Sequence, residues 1–97
     1  MRIDVVGRRM EVTDAIREYA ESKLEKLLKV FDGTQQISVV IEESRHKDFD
    51  VEVVLDVVKH GDLIARAKGA DLYATIDQAA DKAMRQIRDY KEKLRLH

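Results

Sequence analysis

From Phe49 to Val58 the chain alternates with a period of two. Phe49, Val51, Val53, Leu55 and Val57 fall on one side, and Asp50, Glu52, Val54, Asp56 and Val58 on the other. That period marks a strand, and one of its sides is wholly apolar while the other carries three carboxylates. Such a strand cannot stand alone. It needs neighbours for its backbone hydrogen bonds, a second layer over its apolar side, and water on the other.

The neighbours are legible by the same rule. Ile37, Val39 and Ile41 alternate with Ser38, Val40 and Glu42 after Gln35. Leu63, Ala65 and Ala67 alternate with Ile64, Arg66 and Lys68, and Ile3 and Val5 alternate with Arg2 and Asp4 in residues 1–7. Ser44–Asp48 and Lys59–Asp62 are short polar connections, so the last three strands should form an antiparallel meander. His60 precedes Gly61, and histidine is among the residues that tolerate a positive φ, which accounts for it as a turn residue.

Two helical patterns supply the covering layer. Thr13 is placed to cap a helix whose first turn holds Asp14 and whose apolar face is Ile16, Ala20, Leu24, Leu27, Leu28 and Phe31. Gly33 follows, where a left-handed glycine cap is expected. Asp71 is the expected N-cap of the second helix, and Leu72, Ile76, Ala79, Ala80, Ala83, Ile87, Tyr90 and Leu94 lie within an arc of roughly 100°. No proline interrupts either helix.

The predicted order is strand, helix, three strands, helix, with the first strand–helix–strand unit parallel and right-handed. Each strand has one strongly apolar face, so both helices must share the same side of the sheet. The expected fold is α+β, a two-layer βαβββα sandwich with a four-stranded sheet. With 97 residues it forms a single domain, 1–97.

Composition removes several classes of function. The chain has no cysteine, so no disulfide framework, thiolate metal site or thiol nucleophile is possible. Its apolar runs are too short to span a bilayer, and Asp4 interrupts the N-terminus where a signal peptide would be apolar. His46, His60 and His97 lack metal-binding partners at helical spacing, and Glu42-Glu43 and Asp48/Asp50 read as surface carboxylates. Gly7 and Gly69 are isolated, and Ser22, Ser38 and Ser44 sit in no nucleophile motif. No catalytic, metal or cofactor site is predicted.

Charge distribution says more than the net charge of −1. Residues 82–97 carry six basic and two acidic groups, whereas residues 1–61 carry ten basic and thirteen acidic ones. On the second helix, Arg85 and Arg88 point most directly away from the apolar arc, with Lys82 and Lys93 on one flank and Lys91 and Arg95 on the other. On the first helix, Tyr19, Lys23, Lys26 and Lys29 lie to one side of the apolar stripe, and Glu18, Glu21 and Glu25 to the other. Two neighbouring basic flanks would form a groove for phosphates, with Arg66 and Lys68 extending it. Phosphate contacts of this kind read no sequence. The open sheet face, with Asp50, Glu52 and Asp56 and few aromatics, suits neither RNA charge nor base stacking.

These residues also resemble a known family. Asp71-Leu72-Tyr73-Ala74-Thr75-Ile76-Asp77, followed by Asp81-Lys82, Arg85-Gln86-Ile87 and Lys91-Glu92-Lys93-Leu94, closely resembles the second-helix signature of the ribosome hibernation promoting factors. Glu11-Val12-Thr13-Asp14-Ala15-Ile16-Arg17-Glu18-Tyr19, Lys23-Leu24-Glu25-Lys26-Leu27 and Phe31-Asp32 are similar to its first-helix region.

The resemblance implies a fold like that of double-stranded-RNA-binding domains and a bacterial, cytoplasmic stress or stationary-phase factor. Such a factor occupies the tRNA and mRNA channel of the small ribosomal subunit, blocks its decoding sites and does no chemistry. By the same resemblance, Lys23, Lys26, Lys82, Arg85, Lys91 and Lys93 face ribosomal RNA; Arg88 joins them on its position in the helix alone. Asp89-Tyr90 stands where the family usually has a basic residue and histidine. Long family members append a linker and a dimerising domain; this chain resembles either the short form, expected to be a monomer, or the N-terminal domain of a long form. Two other classes fit the pattern less well: a generic double-stranded-RNA-binding domain, whose second helix would begin basic rather than with Asp71 and Asp77, and a protein-interaction module without RNA.

Overall fold

A computed structural model of the chain describes residues 2–31 and 33–95. His97, read above as having no metal partner, lies outside them, as do Met1, Asp32 and Leu96. The elements are β1 (Arg2–Arg8), α1 (Asp14–Val30), β2 (Thr34–Glu43), β3 (Phe49–Val57), β4 (Gly61–Gly69) and α2 (Leu72–Arg95). The sheet order is β1-β2-β3-β4, with β1 parallel to β2 and the other two pairings antiparallel. The fold is the expected α+β sandwich.

The register explains why one face is dry. Val5, Val39, Val53 and Ala65 form one row across all four strands, and Ile3, Ile37, Leu55 and Leu63 the next. Ile37, Val39, Ile41, Val51, Val53, Leu55 and Val57 are all buried, as are Ile16, Ala20, Leu24 and Leu27 of α1 and Ile76, Ala79, Ala80, Ala83 and Ile87 of α2. Small residues meet where α2 crosses β4: Ala65 and Ala67 below, Ala79, Ala80 and Ala83 above. Without long side chains between them, helix and strand approach closely. The opposite face is open, and its rows run Val6–Val40–Glu52–Arg66 and Arg8–Glu42–Asp50–Lys68.

Both N-caps form as read. The Ile16 amide donates to Thr13 Oγ1 at 3.2 Å, and the Ala74 amide to Asp71 Oδ1 at 3.3 Å. Three local expectations differ. α1 ends on Phe31 in an extended conformation (φ −145°, ψ 117°), so the capping position is Phe31 and not Gly33. Gly33 instead makes room: a Cβ there would collide with the Phe31 ring. In the β3–β4 turn the left-handed residues are Lys59 (φ 63°) and Gly61 (φ 96°), not His60. His60 has a packing role, its ring edge-on to Tyr90 at 4.6 Å, while Phe31 meets the same tyrosine at 5.5 Å. Leu94, placed on the apolar arc by the sequence, is 47% exposed on the last turn of α2.

Leu55 is 1% exposed at the centre of this core. Leu55→Ala should lower the unfolding free energy by about 2–5 kcal/mol, the cost of lost burial plus the cavity left behind. Urea denaturation measures it; an unmoved midpoint would place the core on the other face.

Candidate nucleic-acid interface

α1 and α2 run parallel. Tyr19 and Lys23 of α1 reach Asp77 of α2, and further along, Lys91 of α2 reaches the carbonyl of Val30. Parallel alignment makes the charges of the two helices add end to end. Asp14–Ser22 with Leu72–Asp81 hold five acidic residues and one basic one; Lys23–Val30 with Lys82–Arg95 hold three acidic and nine basic. The helical layer is therefore about −4 at its N-terminal end and +6 at its C-terminal end. The basic end also complements the partial negative charge of two helix C-termini. The charge that a wheel of α1 separates across the helix is, over both helices together, separated along the layer as well.

The seven basic residues singled out above fall into distinct positions. Lys26, Arg85 and Arg88 are exposed on the helices. Lys82 and Lys93 lie on the β4 side of α2. The Lys82 ammonium donates to the Arg66 carbonyl at 2.8 Å, and Lys93 borders a cleft with His60, Leu63, Gln86, Asp89 and Tyr90. Lys91 lies at the other flank, donating to the Val30 carbonyl at 2.9 Å beside Lys29 and Arg95. Lys82, Arg85, Gln86 and Asp89 share a shallow surface cleft. Asp89 thus stands among the basic residues and lowers their local charge.

Lys23 differs from the other six. It is half-buried in the seam between the helices, its ammonium 3.4 Å from Asp77 Oδ1 and 5.6 Å from the centre of the Tyr19 ring. The Tyr19 hydroxyl donates to the same Asp77 oxygen at 2.7 Å, and Tyr73 packs edge-on against Tyr19 at 4.8 Å. The Asp77 hydrogen bond holds the Tyr19 hydroxyl above the usual tyrosine range, and the same carboxylate holds the Lys23 ammonium above the usual lysine range. Among the described residues, none of the other six has an acidic partner within 4.0 Å.

Arg66 does not extend the helical surface. Its side chain lies on the open face of the sheet, bonded to Glu52 at 2.7 Å across the β3–β4 pair. Lys68 shares that face by alternation. Gln86 has a role that the motif around it did not announce. Its side-chain amide donates to the Ile64 carbonyl at 2.8 Å, one helical turn beyond the Lys82 bond to Arg66. β4 is an edge strand, and these two bonds cover successive outward carbonyls. At the other edge, Arg17 of α1 donates to the Val5 carbonyl of β1 at 3.2 Å. A polar i,i+4 pair on the flank of a helix that follows the last strand of a meander was the available signal.

The described residues contain no group of three or more potential metal ligands, and no described helix is long and apolar enough to cross a membrane. Together these features define a two-layer α+β domain whose helical layer presents one strongly basic end.

Residues 3–95 match the family described as Sigma 54 modulation protein / S30EA ribosomal protein, and the chain belongs to that family. It is 35% identical over 100 residues to the ribosome hibernation promoting factor of Escherichia coli (strain K12), with all of both chains covered. To the factor of the same name from Azotobacter vinelandii it is 36% identical over 93 residues, covering 96% of this chain and 85% of that one. The crystal structure of the Thermus thermophilus Protein Y N-terminal domain superposes with a TM-score of 0.82 at 36% identity, covering 93% of this chain and 99% of the other. A ribosomal subunit interface protein from Coxiella burnetii shares the fold, with a TM-score of 0.84 at 24% identity.

Replacing Lys82 and Gln86 together by alanine should uncover the Ile64 and Arg66 carbonyls. The expected result is a loss of about 1–2 kcal/mol in unfolding free energy and concentration-dependent self-association through β4. Denaturation and sedimentation velocity measure the two effects; a strictly monomeric double variant of parental stability would show that the two bonds do not protect the edge.

Proposed function

We propose that this chain is a ribosome hibernation factor. It binds the small ribosomal subunit, lies on ribosomal RNA in the tRNA and mRNA channel, and blocks the decoding sites under stress or in stationary phase. It acts by occupying space, without catalysis, as a single cytoplasmic domain that is monomeric on its own. Family membership supports the ribosomal setting. One structural observation supports the RNA surface: Lys26, Lys82, Arg85, Arg88, Lys91 and Lys93 are all exposed on the basic halves of the two helices, without acidic partners among the described residues. A surface of this kind gains affinity by releasing counterions from phosphates and needs no base-specific contact. The open sheet face, with its carboxylates, is the side turned from RNA.

Two measurements test the reading. Binding to purified small subunits should weaken with salt, the logarithm of the association constant falling against that of salt concentration with a slope of roughly −4 to −5 if six basic groups engage phosphates. A flat response would remove the electrostatic account. In co-sedimentation, Lys82→Glu with Arg85→Glu should abolish subunit binding and relieve inhibition of translation while the fold persists, since neither side chain is in the core and Gln86 still covers the β4 edge. Glu18→Lys with Glu21→Lys, an equal but opposite change at the acidic end, should bind as well as the parent or slightly better. The reverse pattern would place RNA on the wrong end of the helical layer.

A further inference from the structure

We infer that Asp77 and Tyr19 are positioning residues that latch α1 to α2 and withhold Lys23 from phosphate, so that Lys23 is an internal counter-ion rather than an RNA contact. This inference rests on the ribosomal reading for its binding assay, but the latch itself belongs to the free protein.

The three side chains form one cluster on the rim of the helix seam, Lys23 and Asp77 each keeping 40% of their side-chain surface exposed. One carboxylate oxygen of Asp77 accepts from the Tyr19 hydroxyl at 2.7 Å and sits 3.4 Å from the Lys23 ammonium. Tyr19 presents its ring to Lys23 and meets the edge of Tyr73 on α2. The Lys23 and Asp77 charges cancel, and Asp81 adds further negative potential at Lys23. A phosphate approaching the seam would face Asp77 as well as Lys23, and would compete with that carboxylate for the ammonium. Such a contact would exchange one ion pair for another, with little net attraction and little counterion release. The six basic residues outside the cluster carry no such penalty.

The cluster has a second consequence. α1 and α2 contact the sheet through different strands, α1 over β1 and β2 and α2 over β3 and β4. The Tyr19–Asp77 and Lys23–Asp77 bonds join their polar rims above the apolar core. They fix the lateral separation of Lys26 on one helix from Arg85 and Arg88 on the other. That separation is what an RNA backbone would have to match.

The salt dependence of small-subunit binding distinguishes a phosphate ligand from an internal counter-ion. Lys26→Met, which removes a proposed contact, should reduce the steepness of the slope by about 0.7–0.9. Lys23→Met should leave the slope as in the parent. Asp77→Asn should release Lys23 and steepen the slope by about 0.7–0.9, and Asp77→Asn with Lys23→Met should restore the parental value. A shallower slope for Lys23→Met, or no steepening for Asp77→Asn, overturns the assignment of Lys23. If Lys26→Met and the Lys82/Arg85 reversal also leave binding unchanged, the RNA reading has failed instead.

The latch is then still decided in the free protein, by following the Tyr19 ring resonance through alkaline titration. Asp77→Asn should bring the Tyr19 titration down, because a neutral amide replaces the carboxylate that raises it, and Lys23→Met should push it further up, because it removes the charge that lowers it. A Tyr19 titration unmoved by both substitutions overturns the latch.

Discussion

The close contact between α2 and β4 organises the surface as well as the core. Alanine on both sides lets the helix settle low over the strand, and from there Lys82 and Gln86 reach the outward carbonyls of the edge. Bulkier residues at Ala65 or Ala83 would lift the helix and withdraw both donors. The apolar packing therefore sets a polar outcome: the sheet ends in a covered edge, and two side chains of the basic helix are held in fixed positions by backbone acceptors. Arg17 does the corresponding work at β1, so each helix closes the edge nearest to it.

Much of this was legible in the sequence. Period-two alternation assigned every strand to its face, because one side of the sheet is buried and a slip of one residue would expose Ile37, Val39, Leu55 and their neighbours together. The caps at Thr13 and Asp71 were readable from local chemistry alone. What could not be read depends on partners distant in sequence. The Asp77 carboxylate meets Tyr19 and Lys23 only after two helices, 58 residues apart at that hydrogen bond, have been laid side by side. A wheel drawn for one helix ranks Lys23 with Lys26, and nothing in the first-helix pattern distinguishes an ion-paired lysine from a free one. The same limit applies to Arg66: its alternation gave the face, but the Glu52 opposite it is fixed by register. The turn at His60 is ambiguous for a simpler reason, since several residue types fit a tight turn and the left-handed positions fall on either side of it.

The connection order explains how so neutral a chain presents so basic a surface. A parallel β1–α1–β2 unit and a meander that returns through β4 leave both helices pointing the same way. Antiparallel helices with the same sequences would have set the Asp77 and Asp81 region beside Lys26 and Lys29, cancelling charge that the observed topology accumulates. Net charge is thus a poor guide here, and the pairing of helix directions is a better one.

That arrangement gives the molecule a permanent electric moment along the helical layer. In the non-uniform field of a polyanion, such a body experiences a torque before it makes contact, turning its C-terminal helix ends toward the negative surface and its acidic end away. Fewer encounters are then wasted on wrong orientations. The benefit is kinetic and shrinks once the separation exceeds the Debye length, roughly 8–10 Å at physiological salt. Moving a single charge from one end of the layer to the other leaves composition and net charge unchanged and still weakens that alignment.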